Sequence, residues 1–204
     1  MKKILYLSFF EKEDIILSKK YKIDTIYIFS NDFKLNILDK DYNLLILGGG
    51  IKGIPLASNI SNYQPDIVTL IQNIKIPVLG ICYGMELLYN FFYNKIPKEL
   101  KERHKINNVN IVLDNRYKIT NNITNMNVRF NHKYYCPDVN KGVISRFQIK
   151  DNNNITNKTN KTNKNNITIP IFIKFKKNIY GTQFHFKNKK DLSRIIENII
   201  YKNI

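Results

Sequence analysis

The five residues Gly80-Ile81-Cys82-Tyr83-Gly84 constrain this chain more than any other stretch. Ahead of them, Val78 and Leu79 follow Pro77 and join Ile81 in a short apolar run, the pattern of a strand buried on both faces. Behind them, Met85, Leu87, Leu88, Phe91 and Phe92 recur at helical spacing. Cys82 therefore falls at a strand-to-helix bend, with a glycine two residues to either side. This is the pattern of a nucleophile elbow, with Cys where Ser is common. Such a turn is strained and tightly packed, so side chains at the flanking positions would collide with crossing backbone. The thiol is held at the positive end of the following helix, which favours the reactive thiolate. A solitary Cys is more often a small buried hydrophobe. Two symmetric glycines at a structural switch favour the nucleophile.

A chain of 204 residues is read as a single domain spanning residues 1–204, with ample length for a core. A hydrophobic content of 43% fits a globular protein. No apolar run approaches the ~20 residues of a membrane span, so no membrane partner is expected. The start, Met1 to Phe10, imitates a secretory signal, but its apolar part stops at Glu11-Lys12-Glu13-Asp14 without a small-residue cleavage site, and it reads as a first strand. The two cysteines, Cys82 and Cys136, suggest neither a disulfide framework nor a metal site, which fits a reducing, cytoplasmic setting. No metal or cofactor is expected. The formal charge of +17 invites a nucleic-acid reading. The excess is mostly Lys, scattered along a chain that also over-uses Asn, Ile and Tyr. That is compositional drift rather than a designed binding face, and argues against nucleic acid. A basic surface still attracts acidic partners.

In order along the chain, Ile4–Phe9 reads as a strand, Glu11–Lys20 as a helix, and Ile23–Phe29 as a second strand. Leu44–Leu47 is a third, ending at Gly48-Gly49-Gly50. A helix over Ile67–Ile74 leads into the Val78–Ile81 strand. This alternation predicts an α/β fold, an open, mostly parallel twisted sheet flanked by helices. Active sites of such sheets lie beyond the carboxyl ends of the strands, where both the triple glycine and Cys82 fall. Pro97–Val109 carries no assignable pattern, Val109–Leu113 reads as a strand, and Val128–Pro137 as a polar, aromatic loop. Gly142–Gln148 returns to strand. Asp151–Thr168 repeats Asn, Lys and Thr and reads as a disordered surface loop. Ile169–Phe175 and Ile179–Phe184 form a C-terminal hairpin about Lys177-Asn178, and a closing helix runs from about Asp191 to Tyr201.

The triple glycine fails as a phosphate loop, since neither dinucleotide nor Walker spacing follows. As a donor loop it works, because an N–H there meets a developing negative charge unobstructed. With the N–H after the nucleophile it would complete an oxyanion hole, formed by Gly50 and Tyr83. A plain tight turn is the alternative. A thiol nucleophile also needs a base. Of the three histidines, His104 lies in a charged Lys-Glu-Arg-His-Lys run that reads as solvated, and His132 lies in the predicted loop. His185 ends a strand and is the best placed.

The elbow, the Leu47–Gly50 loop ahead of it and Gly181-Thr182-Gln183-Phe184-His185 near the end together resemble the class I, triad-type glutamine amidotransferases. The Cys-Tyr-Gly-Met wording is most similar to the GMP synthetase branch. The resemblance implies a flavodoxin-like amidotransferase fold. It also implies that Cys82 attacks the side-chain amide of glutamine while Gly50 and Tyr83 stabilise the oxyanion. His185 would protonate departing ammonia and then activate water against the thioester. Ammonia would pass to a separate ATP-dependent synthetase subunit. Glu86, Asn131, His132, Lys133 and Tyr134 fall where relatives bind substrate.

Three departures from the family pattern stand out. The family follows its terminal His with Pro-Glu, and that Glu orients the imidazole. Here Phe186 and Lys187 take those places. Losing the orienting acid of a Ser triad costs ~10⁴ in rate, though a thiol depends less on base assistance. Asp191 and Glu86 are the candidate substitutes. Glu86 itself stands where the family usually has Gln. Finally, the stretch after the elbow helix lacks the usual Gly-Gly turn. The expectation is a glutaminase, most simply for GMP synthesis. The alternative is an amidotransferase-like binding protein without turnover.

Overall fold

The computed structural model describes residues 1–9, 15, 17–28, 41–50, 65–137, 139–151 and 165–202. A seven-stranded sheet carries the order β2-β1-β3-β4-β9-β8-β7. Its parallel part comprises β1 (Lys2–Phe9), β2 (Tyr21–Tyr27), β3 (Leu44–Gly50), β4 (Val78–Ile81) and β9 (Ile179–Thr182). Two antiparallel strands, β7 (Val143–Asp151) and β8 (Asn165–Lys176), extend it beyond β9. Strands β8 and β9 form the expected C-terminal hairpin, turning at Lys177-Asn178 with Asn178 at φ 64°. A second sheet of order β10-β6-β5 is antiparallel, built from β5 (Lys98–Val112), β6 (Asn125–Tyr135) and β10 (His185–Phe186).

Alternation along the central strands sorts side chains onto two faces. Leu5, Leu7, Leu45, Leu47 and Val78 pack with Ile67, Leu70 and Ile71 of α1 (Pro65–Asn73) and with Leu87 and Leu88 of α2 (Tyr83–Tyr93). Ile4, Tyr6, Leu44, Ile46, Leu79 and Ile81 face the other way, into a core shared with Ile195, Ile196 and Ile199 of α3 (Lys189–Lys202) and with Val128 and Phe130 of β6. Continuous apolar runs in β1, β3 and β4 follow from this double burial.

Several segments differ from the sequence reading. Val128–Pro137, expected as a loop, is mostly strand β6. Its period-two pattern buries Met126, Val128, Phe130 and His132 and exposes Asn125, Asn127, Arg129, Asn131 and Lys133. The polar outer half masked the alternation. Its partner β5 takes in the unassigned Pro97–Val109 stretch from Lys98 onward, and His104, expected in a solvated run, is half-buried beside Phe130 and Phe147. The triple glycine is no turn, because β3 runs through to Gly50. The predicted Asp151–Thr168 loop is trimmed at both ends, since β7 reaches Asp151 and β8 starts at Asn165. Residues 152–164 lie outside the described residues. Most of the helix expected over Glu11–Lys20 does too, and Lys19-Lys20 is a turn. The missing Gly-Gly after α2 is replaced by Asn94, which takes the left-handed conformation at φ 51° and ψ 38° and donates its N–H to Asn90 O at 2.9 Å. Asn does there what glycine does at many helix ends.

Candidate active site

The elbow forms as its glycines require. Cys82 caps α2 at φ 54° and ψ −107°, a region that L-residues rarely enter. Its N–H donates to Thr182 O at 2.6 Å, tying the bend to the end of β9, and its carbonyl accepts the N–H groups of Met85 and Glu86. A methyl group on Gly84 would lie 2.1 Å from Leu47 O, and one on Gly80 would lie 2.5 Å from Gly84 O. Only hydrogen fits at either position, because the obstructing atoms are backbone.

The two expected oxyanion donors are neighbours. A Cβ built on Gly50 would sit 2.7 Å from the Tyr83 ring. The ring is held there by Phe9, edge-on at 5.1 Å between centroids. Glycine at 50 thus lets the end of β3 close onto the first residue of α2.

His185 is placed by β10, which among the described residues pairs with β6, where His185 faces Arg129 and Phe186 faces Val128. The His185 imidazole is pulled down to about 4, first by burial and then by the charges of Arg129 and Arg103. Every described influence on it opposes the protonated form. Lys187, in place of the family's orienting acid, donates from Nζ to Asn108 Oδ1. Asp191 is committed to Asn188, whose Oδ1 accepts the Asp191 N–H at 2.8 Å and whose Nδ2 donates to Asp191 Oδ2 at 2.7 Å. Glu86 accepts a hydrogen bond from Gln183 Nε2 at 2.9 Å. Each of the two carboxylates considered as substitutes therefore has another partner.

Glu86 is 4% exposed, and burial pushes its carboxyl up to about 7 despite the Gln183 bond. Cys136 lies in the same region, its Sγ 4.0 Å from Gln183 Oε1. Its thiol is raised well above normal by burial, then by Glu86 and Cys82. Gln183, Thr182, Arg129 and Cys136 escaped the sequence reading as site residues. Gln183 and Thr182 belong to the terminal motif, but nothing in the sequence shows what they touch.

The four consecutive candidates on β6 divide by strand alternation. Asn131 and Lys133 are exposed, and Lys133 pairs with Glu99. His132 is buried and Tyr134 half-buried on the opposite face. His132 Nδ1 lies 2.7 Å from Tyr134 O, and its Nε2 lies 3.2 Å from His104 Nδ1. Burial lowers His132 to about 4, with His104, His185 and Arg103 adding to the effect of burial and the Tyr134 carbonyl opposing it. Among the described residues, no group of three or more His, Cys, Asp or Glu side chains is placed to share a metal ion. No helix among them is long and apolar enough to cross a membrane.

Comparison with known proteins agrees with this fold. The model of the glutamine amidotransferase class-I family matches residues 15–200. A GMP synthase (glutamine-hydrolysing) of Ehrlichia canis is 26% identical over 187 residues, 91% of this chain and 33% of that protein. One from Wolbachia sp. subsp. Brugia malayi is 26% identical over 180 residues, 85% of this chain and 31% of the relative. The chain thus spans about a third of the length of these relatives. Among solved structures, a GMP synthase subunit protein of Thermoplasma acidophilum superposes with a TM-score of 0.66 at 15% identity, covering 98% of this chain and 92% of that one. A glutamine amidotransferase of Thermotoga maritima gives 0.62 at 18% identity, covering 96% and 81%. The shared architecture, the elbow and a family match over nearly the whole length place this chain in the class-I glutamine amidotransferase family.

Proposed function

We propose that the chain is a glutaminase that hydrolyses glutamine to glutamate and ammonia and delivers the ammonia to a separate ATP-dependent synthetase, most simply one making GMP. The observation that carries this reading is the strained Cys82 elbow closed against Gly50 and Tyr83. Cys82 Sγ, its proton taken up by His185, attacks the amide carbon, and the negative charge passes to the amide oxygen. The N–H groups of Gly50 and Tyr83 stabilise that oxyanion. The tetrahedral intermediate collapses to a thioester as His185 donates a proton to departing ammonia. A water then loses a proton to His185, adds to the thioester and releases glutamate, and the thiol is restored. Glu86, His132 and Tyr134 are the proposed contacts that hold substrate, whereas Asn131 and Lys133 lie exposed on the other face of β6. The GMP synthase relatives carry the amidotransferase region within a longer protein, which supports a synthetase partner.

A second reading is a binding protein that keeps the fold without turnover. The cationic surroundings of His185 favour it, because they oppose the imidazolium that must form. The test is the rate of glutamate release by wild type and by Lys187→Glu, which puts the acid back. Release that is slow in wild type, at least ~10-fold faster in Lys187→Glu and absent in Cys82→Ala supports the glutaminase. No release from either folded protein, even with a GMP-forming synthetase added, supports the binding protein.

A further inference from the structure

We infer that the cleft beside His185 is a binding site for a small oxyanion, a carboxylate or phosphate group, held by Arg129, Lys187 and Lys189 against the imidazole. The cleft measures about 230 Å³ and lies on the α3 side of the central sheet. Its walls include Tyr6 and Ile81 from the sheet, Arg129 from β6, His185 from β10, Lys187 from the link that follows and Lys189 from the start of α3. Among its described lining residues there are Arg129, Lys187 and Lys189 but no carboxylate. That imbalance has a structural origin. Directly opposed residues of an antiparallel pair project to the same side, so the β10–β6 register sets Arg129 and His185 on one face. Asn108 of β5 takes one hydrogen bond from the Lys187 ammonium, which steadies that side chain and leaves further donors.

The cleft also borders the first turn of the 14-residue helix α3, through Asn188 and Lys189. Backbone N–H groups and the helix dipole favour negative charge there. The acid of that first turn, Asp191, is bonded to Asn188 and does not line the cleft. An oxyanion in the cleft accepts two parallel bonds from the Arg129 guanidinium and further bonds from Lys187 and the imidazole. It thereby gives His185 the negatively charged neighbour that Lys187 denies it. This last consequence rests on the glutaminase reading. Occupancy of the site does not.

The experiment follows the three histidine ring resonances of the full-length protein near pH 6, at constant ionic strength, during titration with inorganic phosphate and, separately, acetate. His185→Gln identifies the His185 resonance. The expected result is a saturable shift of that resonance, with little change at His104 and His132. The apparent Kd for the anion should rise at least ~10-fold in Arg129→Gln. Lys187→Gln serves as the second variant should the first not fold. Tighter binding of phosphate assigns the site to phosphate, and tighter binding of acetate assigns it to carboxylates. No saturable shift of the His185 resonance, or an equal shift of all three that persists in Arg129→Gln, overturns the proposal. Anion binding without any glutamine hydrolysis leaves the site standing and overturns the glutaminase reading. Hydrolysis without anion binding does the reverse.

Discussion

Gln183 donates a buried hydrogen bond of 2.9 Å to Glu86, one turn into the elbow helix and close behind Cys82. The bond lowers the Glu86 carboxyl, yet burial outweighs it and holds the group at about 7. A carboxyl raised on folding stabilises the protein at low pH, where both states are protonated, and that contribution is lost as pH rises through the folded value. His132 and His185 act in the opposite sense, both being pulled down to about 4. Their cost falls on the acid side, as pH drops below the ordinary histidine value toward 4. The two trends oppose one another across the same range.

Glu86→Gln removes one of them. It keeps an acceptor for Gln183 and restores the residue usual in the family. The variant should match wild type near pH 4.5 and exceed it by ~1–3 kcal/mol above pH 7. Its stability should also climb more steeply between pH 4.5 and 6.5. Urea melts over that range check this, and parallel pH curves for the two proteins would contradict it.

Gly84→Ala tests the packing of the elbow. The added methyl meets Leu47 O at 2.1 Å, and neither backbone segment has room to retreat, because β3 is paired on both edges. A loss of at least ~2 kcal/mol in chemical denaturation is expected. An alanine at exposed Gln72, near the end of α1, serves as the control and should lie within ~0.5 kcal/mol of wild type.

The Cys82 backbone stores strain that glycine would release. At φ 54° and ψ −107° any side chain is disfavoured, and alanine keeps that penalty. Cys82→Gly should therefore be more stable than Cys82→Ala by ~1 kcal/mol, though both lack the proposed nucleophile. Thermal melts of the two variants side by side measure the difference.

Much of this is legible in the sequence because it is local. The elbow announces itself in five consecutive residues, and the apolar runs of β1, β3 and β4 follow from burial on both faces. The family match covers the same ground. The rest depends on contacts between distant segments. Strand β6 hides behind its outer row of Asn, Arg and Lys, although Met126, Val128, Phe130 and His132 alternate beneath. Arg129 gains meaning only when β10 pairs with it across more than fifty residues of chain. The two candidate substitutes for the missing acid cannot be judged without knowing that Asn188 and Gln183 already hold them.

The central claim is that Cys82 is an activated nucleophile in a site shaped for glutamine. Incubation with a diazo-ketone analogue of glutamine, followed by intact-mass measurement beside Cys82→Ala, tests it most directly. The account predicts one adduct on wild type and none on the variant, with buried Cys136 untouched because its thiol is held protonated. No adduct on folded wild type, or an adduct that persists in Cys82→Ala, would contradict it.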